Sequence, residues 1–168
     1  MTQITEEQKI MLDNLRRAVK EKVAPLAAEN DRTGRFNPQI ASLFWDLGLL
    51  QIMLPEEDGG WPHNPSFTLC LAIEEIAKAC AASALLLIIQ AVGSYPLMFA
   101  GNDAQKKKYF KMLSEQRNLI GYLVTEPGAG SDVSSVWFRI IGRTVAVPSP
   151  MPLSGAATSM TKRPPGSS

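Results

Sequence analysis

The residues GYLVTEPGAGSD, at positions 121–132, decide how the rest of this 168-residue chain is read. Beginning two residues earlier, LIGYLVT has the aliphatic and aromatic content of a β-strand, and Pro127 ends it. Gly128 and Gly130 permit positive φ, which lets backbone N–H groups converge on a ligand atom. Thr125 offers a hydroxyl at the strand end, and Ser131 adds a second that can reach a carbonyl or a phosphate. Asp132 argues against a plain phosphate nest, because its carboxylate repels an anion; its expected role is to pin the loop through backbone bonds. The glycines do not follow GxGxxG and no helix is predicted in the right place, so this is not a dinucleotide fingerprint. On spacing alone, a tight structural turn is the simplest reading.

Upstream of the loop the chain reads as helices with short connections. Thr5 and Gln8 form a capping box, followed at helical spacing by Leu12, Leu15, Val19 and Val23. Pro25 is expected to kink or end that helix. Asn37-Pro38 is a cap with a first-turn proline; Ile40, Leu43, Phe44 and Leu47 make an apolar face, and Gly48 stops it. LPEEDGGWPHNPS, from position 54, is a loop, with Glu56, Glu57 and Asp58 at its solvated edge. Helical pattern resumes from about Phe67, with Glu74 and Lys78 an i,i+4 pair. Adjacent Glu74 and Glu75 diverge by about 100° on a helix and cannot face each other as an acid/base pair. Asn102 with Gln105 opens a further helix, on which Lys106, Lys107 and Lys108 read as a solvated face rather than an anion site. Trp45 and Trp61 read as core and loop-packing residues.

Composition narrows the function classes. Net charge is +1, with 45% hydrophobic and 20% charged residues, which calls for neither nucleic acid nor an anionic membrane. No charge occurs between Lys78 and Asp103, a run long enough to cross a bilayer. Ser83, Gln90, Gly93, Ser94 and Pro96 interrupt it, so a fully buried helix at the centre of a bundle is expected instead. Cys70 and Cys80, the only cysteines, lie too far apart on one helix for a disulfide, about 15 Å of rise. They are expected to be reduced and buried, as in a cytoplasmic protein. His63 is alone, so a metal site lacks ligands. The N-terminus has no feature of a signal or transit peptide.

From Val133 on there are four bases and no acid, and from position 148 five prolines. VWFRII and TVAV are candidate further strands, and residues 148–168 are expected to be disordered. The expected organisation is therefore helical over 1–118, the start of a β-domain over 119–147, and a tail over 148–168.

YLVTEPGAGSD, preceded by LPEEDGG, LAIEEIAKAC and GNDAQKKKYFKML, resembles the N-terminal half of the acyl-CoA dehydrogenase family, in order from about residue 5 to residue 135. The resemblance implies a mainly α fold here: an N-terminal helical bundle followed by the first strand or strands of a β-domain. In the family a C-terminal helical domain follows, usually in a tetramer. It also implies FAD as cofactor and an acyl-CoA thioester as substrate, dehydrogenated between Cα and Cβ, with a homo-oligomeric assembly and an unidentified electron-transfer partner.

Carried over by position, Tyr122, Leu123, Val124 and Thr125 run along the isoalloxazine, with Val124 and Thr125 bonding ring atoms. Gly130 and Ser131 approach the cofactor, and Ser131 also meets the CoA part of the substrate. Leu85 and Ile88, on the helix of residues 84–90, line the acyl pocket. Nothing after residue 135 resembles the family's later strands, and Trp137 is too close to the loop to supply their Trp-Ile-Thr segment. Glu126 is not the family's base. The resemblance thus implies a chain truncated or frameshifted after about residue 134, without the catalytic carboxylate and inactive by itself. The alternatives are a related flavoprotein oxidase or monooxygenase, or a non-catalytic helical interaction module.

Overall fold

Helix α1 (Glu6–Ala18) begins where its capping box places it. The Gln8 N–H donates to the Thr5 hydroxyl at 3.2 Å, and the Thr5 N–H donates to Gln8 Oε1 at 3.0 Å. The computed structural model describes residues 3–122, Thr125, Gly130, Ser131 and 145–147. Leu12, Leu15, Val19 and Val23 are all buried, so the apolar stripe read from the sequence is the face α1 turns inward.

Pro25 does not end this helix. A π turn at Val19–Val23 carries it into α2 (Ala24–Thr33), with the Ala24 N–H donating to the Val19 carbonyl. The wider turn changes the hydrogen-bond register just before the proline. Pro25 then sits in the first turn of α2, where a missing N–H and a fixed φ are tolerated.

Helix α3 (Pro38–Asp46) starts at Asn37, whose side-chain oxygen accepts from the N–H groups of Gln39 and Ile40. It gives way at Gly48, which has φ +71°, a conformation without steric penalty only for glycine. Residues 56–58 form a short 3₁₀ turn within the expected loop, with Glu56 and Glu57 exposed and Asp58 half-buried. Helix α4 (Pro65–Ala77), α5 (Ala81–Ala100) and α6 (Asp103–Ser114) follow, the last opened by the reciprocal Asn102–Gln105 box at 2.9 Å both ways.

Helix α4 packs against both α1 and α5. The main core joins Leu15, Val23, Phe44, Trp45, Ile76 and Leu87. A second, smaller core of Leu54, Leu97, Phe110, Leu113 and Ile120 ties α5 and α6 to strand β1 (Leu119–Gly121). Strand β2 (Val145–Val147), within the expected TVAV strand, pairs antiparallel with β1, Leu119 opposite Val147. VWFRII and the tail lie outside the described residues.

Two expectations need correction. Cys80 is buried at the start of α5 but Cys70 is exposed: the helix breaks between the two, after Ala77, and Cys70 falls on the outer face of α4. Both thiols are free. Nor is α5 fully buried: it is long and apolar enough to cross a membrane, yet only 44% of its most apolar window lies inside the fold.

Gln8 and Glu75 tie the helices laterally. Buried Gln8 donates from Nε2 to the Thr68 hydroxyl on α4 at 2.9 Å, so one side chain both caps α1 and joins it to α4. Gln8→Ala is expected to lower unfolding stability by about 1–3 kcal/mol in urea titration, the sum of a lost cap and a lost buried bond. Glu75 accepts from Arg16 at 2.8 Å and from Lys78 at 3.0 Å, and Lys78 also reaches Glu74 at 3.2 Å, the expected i,i+4 pair.

The Arg16 hydrogen bond holds the Glu75 carboxyl below its ordinary pKa against the opposing effect of desolvation, with Lys78 adding to the lowering. A lowered folded-state pKa contributes stability above the unfolded value, about 4.3 for glutamate, that disappears as pH falls through the folded value. Glu75→Gln is therefore expected to lower Tm by about 2–5 °C at neutral pH, and the gap to close as pH falls below the unfolded value of about 4.3 through the lowered folded one. Calorimetry across that range checks it; a gap independent of pH contradicts the ion-pair assignment.

Candidate functional site

The loop that the sequence singles out is delivered by β1, and β1 is held by α5. Gln90 is 4% exposed and points its carboxamide at the strand. Its Nε2 donates to the Asn118 carbonyl at 3.3 Å, and its Oε1 accepts from the Ile120 N–H at 3.1 Å. One turn on, Gly93 lets the strand cross closely. A Cβ there would stand 2.8 Å from Ile120 Cγ2, nearer than such atoms approach. Ser94 keeps its hydroxyl inside by donating to the carbonyls of Gln90 and Ala91. The turn before β1 is fixed to α3 by Arg117, which meets Asp46 at 2.8 Å.

Beyond β1, Tyr122 is exposed, as are Thr125, Gly130 and Ser131. Thr125 and Gly130 come together: Thr125 Cγ2 lies 3.9 Å from where a Gly130 Cβ would be. Leu123 and Val124 lie outside the described residues, as do Glu126, Gly128 and Asp132. Sequence reasoning missed Gln90, Gly93 and Asn118 as the residues that place this loop. The available signal was a carboxamide inside an otherwise apolar helix, which had counted only against a membrane span.

Helix α5 has two unlike faces. Turned inward are Ser83, Gln90 and Ser94 among Ala84, Leu87 and Leu97. Turned outward are Leu85, Ile88, Ile89 and Phe99, with Leu85 50% and Phe99 81% exposed. Leu85 and Ile88 therefore stand on an open apolar stripe, and neither lines either of the two cavities described below. Tyr95 and Phe99 stack at 5.8 Å along the same helix.

Those two cavities lie elsewhere. One, of about 690 Å³, lies between the 55–58 turn and α6 and mixes Lys106, Lys107 and Lys111 with Glu57, Asp58 and Asp103. Acids facing the lysines make it a poor anion site, and Lys108 instead lies over the Tyr109 ring at 5.3 Å. Burial, helped by the nearby Glu57 and Glu115 charges, raises the Asp58 carboxyl pKa. A second, apolar notch of about 350 Å³ lies among Ile10, Met11, Leu47 and Trp61. Trp61 packs on the main core and Trp45 lies within it, as read from the sequence. Among the described residues, no group of three His, Cys, Asp or Glu side chains could hold a metal.

Residues 5–117 match the family described as acyl-CoA dehydrogenase, N-terminal domain. The chain belongs to the acyl-CoA dehydrogenase family. It is 52% identical over 132 residues to the cyclohexane-1-carbonyl-CoA dehydrogenase of Syntrophus aciditrophicus (strain SB), covering 79% of this chain and 34% of that protein. The structure of butyryl-CoA dehydrogenase from Megasphaera elsdenii superposes with a TM-score of 0.70 at 28% identity, over 80% of this chain and 36% of that one. An acyl-CoA dehydrogenase complexed with FAD from Bacillus anthracis gives 0.63 at 30% identity, over 77% and 23%. The chain thus spans about a third of the length of the curated relatives it matches. The mainly α reading of the sequence holds for its described helical part.

The outward stripe of α5 has a solution consequence. Replacing Ile89 and Phe99 together by lysine is expected to cut binding of a hydrophobic dye by about half, with Tm nearly unchanged. Dye fluorescence unaltered by both substitutions would show that the stripe is covered in solution.

Proposed function

We propose that the chain is the N-terminal part of an FAD-dependent enzyme that removes hydrogen from Cα and Cβ of an acyl-CoA thioester. The observation that carries this reading is the 52% identity to a cyclohexane-1-carbonyl-CoA dehydrogenase. That relative's name makes cyclohexane-1-carbonyl-CoA the first substrate to try. Homo-oligomeric assembly belongs to the same proposal, and the two free thiols support a cytoplasmic location.

The exposed loop residues suit a flavin edge. Gly130 has no side chain to hold a ring away, and Thr125 and Ser131 carry hydroxyls on either side of it in sequence. Tyr122 to Thr125 would lie along the isoalloxazine, Gly130 would approach it, and Ser131 would meet both cofactor and the CoA moiety. When bound, FAD supplies the redox chemistry; this chain's part is to place and shield. Leu85 and Ile88, on the open stripe of α5, present apolar surface to the acyl group and keep water from it.

A base for a weakly acidic C–H needs a carboxylate free to accept a proton. Glu75 is held ionised by Arg16 and Lys78, which makes it a weak acceptor. Asp58 lies in the mixed-charge cavity beside α6, away from the α5 stripe's lining. The family resemblance places the base in the part of the relatives this chain does not span, Glu75 and Asp58 offer no evident substitute, and no turnover is expected from the 168-residue polypeptide alone.

Joining residues 1–132 to the remaining two-thirds of the Syntrophus relative tests the reading. The expected product is a yellow protein that retains FAD and dehydrogenates cyclohexane-1-carbonyl-CoA with an artificial electron acceptor, while the 168-residue chain does neither. A folded, colourless chimera would favour the helical interaction module, and clear turnover by the chain alone would overturn the assignment of the base.

A further inference from the structure

Strand β1 has two edges. In an extended strand the backbone groups of residue 119 point to one edge, and the carbonyl of 118 with the N–H of 120 to the other. Strand β2 pairs with β1 from one side, Leu119 opposite Val147. On the other side the groups of Asn118 and Ile120 meet no strand among the described residues. They meet the Gln90 carboxamide, which donates to the first at 3.3 Å and accepts from the second at 3.1 Å. This is the pattern that the N–H and C=O of a single residue on a parallel neighbouring strand, opposite residue 119, would make with residues 118 and 120. The arrangement is built to be kept. Gln90, Asn118 and Ile120 are all buried, and Gly93 leaves room for the Ile120 side chain against the helix.

We infer that Gln90 is a positioning residue for the loop of residues 122–131: its carboxamide replaces a neighbouring strand and so fixes where β1 delivers Tyr122 and Thr125. The clamp itself stands on these bonds alone; what the loop then meets rests on the flavin reading above. Helix α5 thus has a double role. Its inner face registers the strand while its outer face presents Leu85 and Ile88. A carboxamide is suited to this because it is neutral and offers one donor and one acceptor side by side, as the N–H and C=O of one strand residue do. A leucine of similar size would leave the Asn118 carbonyl and the Ile120 N–H buried without partners.

Hydrogen exchange on the full 168-residue chain tests the clamp. Gln90→Leu is expected to speed exchange of amides 118–121 by about tenfold or more, while α4 amides exchange as before. Ile76→Val, a core truncation in α4, is the control and is expected to raise exchange without singling out the strand. Gln90→Glu separates the bonding pattern from shape. Its ionised carboxylate cannot donate to Asn118, whereas its protonated form both donates and accepts. Protection of 118–121 in that variant should be lost at neutral pH and return on acidification, over the range where α4 stays protected; Gln90→Leu should show no return. Unchanged exchange at 118–121 in Gln90→Leu, or an increase no more local than that of Ile76→Val, would overturn the clamp.

In the chimera, Gln90→Leu is expected to weaken FAD retention about tenfold and Ile76→Val to leave it unchanged. Equal retention in Gln90→Leu and its parent would overturn the positioning role. A parent chimera without FAD would instead count against the flavin reading, with the clamp still judged by exchange.

Discussion

The contact between Gln90 and the backbone of residues 118–120 is the constraint on which the rest depends. It sits where a helical core ends and a β-strand begins, and these two kinds of structure share no backbone hydrogen bonds. A strand laid on a helix must satisfy its inner-edge peptide groups some other way, or leave them buried and unpaired. Gln90 does so with a single side chain, and Gly93 brings the strand close enough for it to reach. The smaller core of Leu54, Leu97, Phe110, Leu113 and Ile120 then closes around the crossing.

Glutamine recurs as the connector. Gln8 caps α1 and donates to Thr68 on α4, and Gln51 donates to the Ser114 carbonyl at the end of α6 at 3.0 Å. In each case a neutral side chain satisfies a polar group inside the fold without the desolvation penalty of a charge. The charged pairs lie further out. The Arg side chain of the Arg16–Glu75 pair is half exposed, and Arg117 meets Asp46 with both side chains half exposed. Cohesion between elements rests on apolar burial and carboxamides, with ion pairs contributing at the rim.

Local signals were legible in the sequence because they act over three or four residues. The Thr5–Gln8 and Asn102–Gln105 boxes, the Asn37 cap and the stop at Gly48 all form where their letters put them. Pro25 marked an interruption whose form was not legible: a π turn at Val19–Val23 precedes it and helix resumes with the proline in the first turn of α2. Cys70 misled because burial was assigned by residue type rather than by helix face. The site letters at 121–132 were legible as a pattern, and Tyr122, Thr125, Gly130 and Ser131 are all exposed where a ligand could reach them. What placed them was not legible, since Gln90 acts across 28 and 30 residues of sequence.

Helix α5 shows why hydropathy alone could not resolve this. Average hydropathy makes it resemble a membrane span or a fully buried core helix, yet only 44% of its most apolar window lies inside the fold. Its polar residues Ser83, Gln90 and Ser94 face inward beside Leu87 and Leu97, where close approach and hydrogen bonding need them, while Leu85, Ile88, Ile89 and Phe99 face outward. A helix evolved to meet water on that outer side would carry charges there. An outward stripe of Leu85, Ile88, Ile89 and Phe99 fits the acyl-facing role proposed above. The clamp at Gln90 and the open apolar stripe thus occupy opposite faces of one helix, which registers β1 with one face and leaves the other exposed.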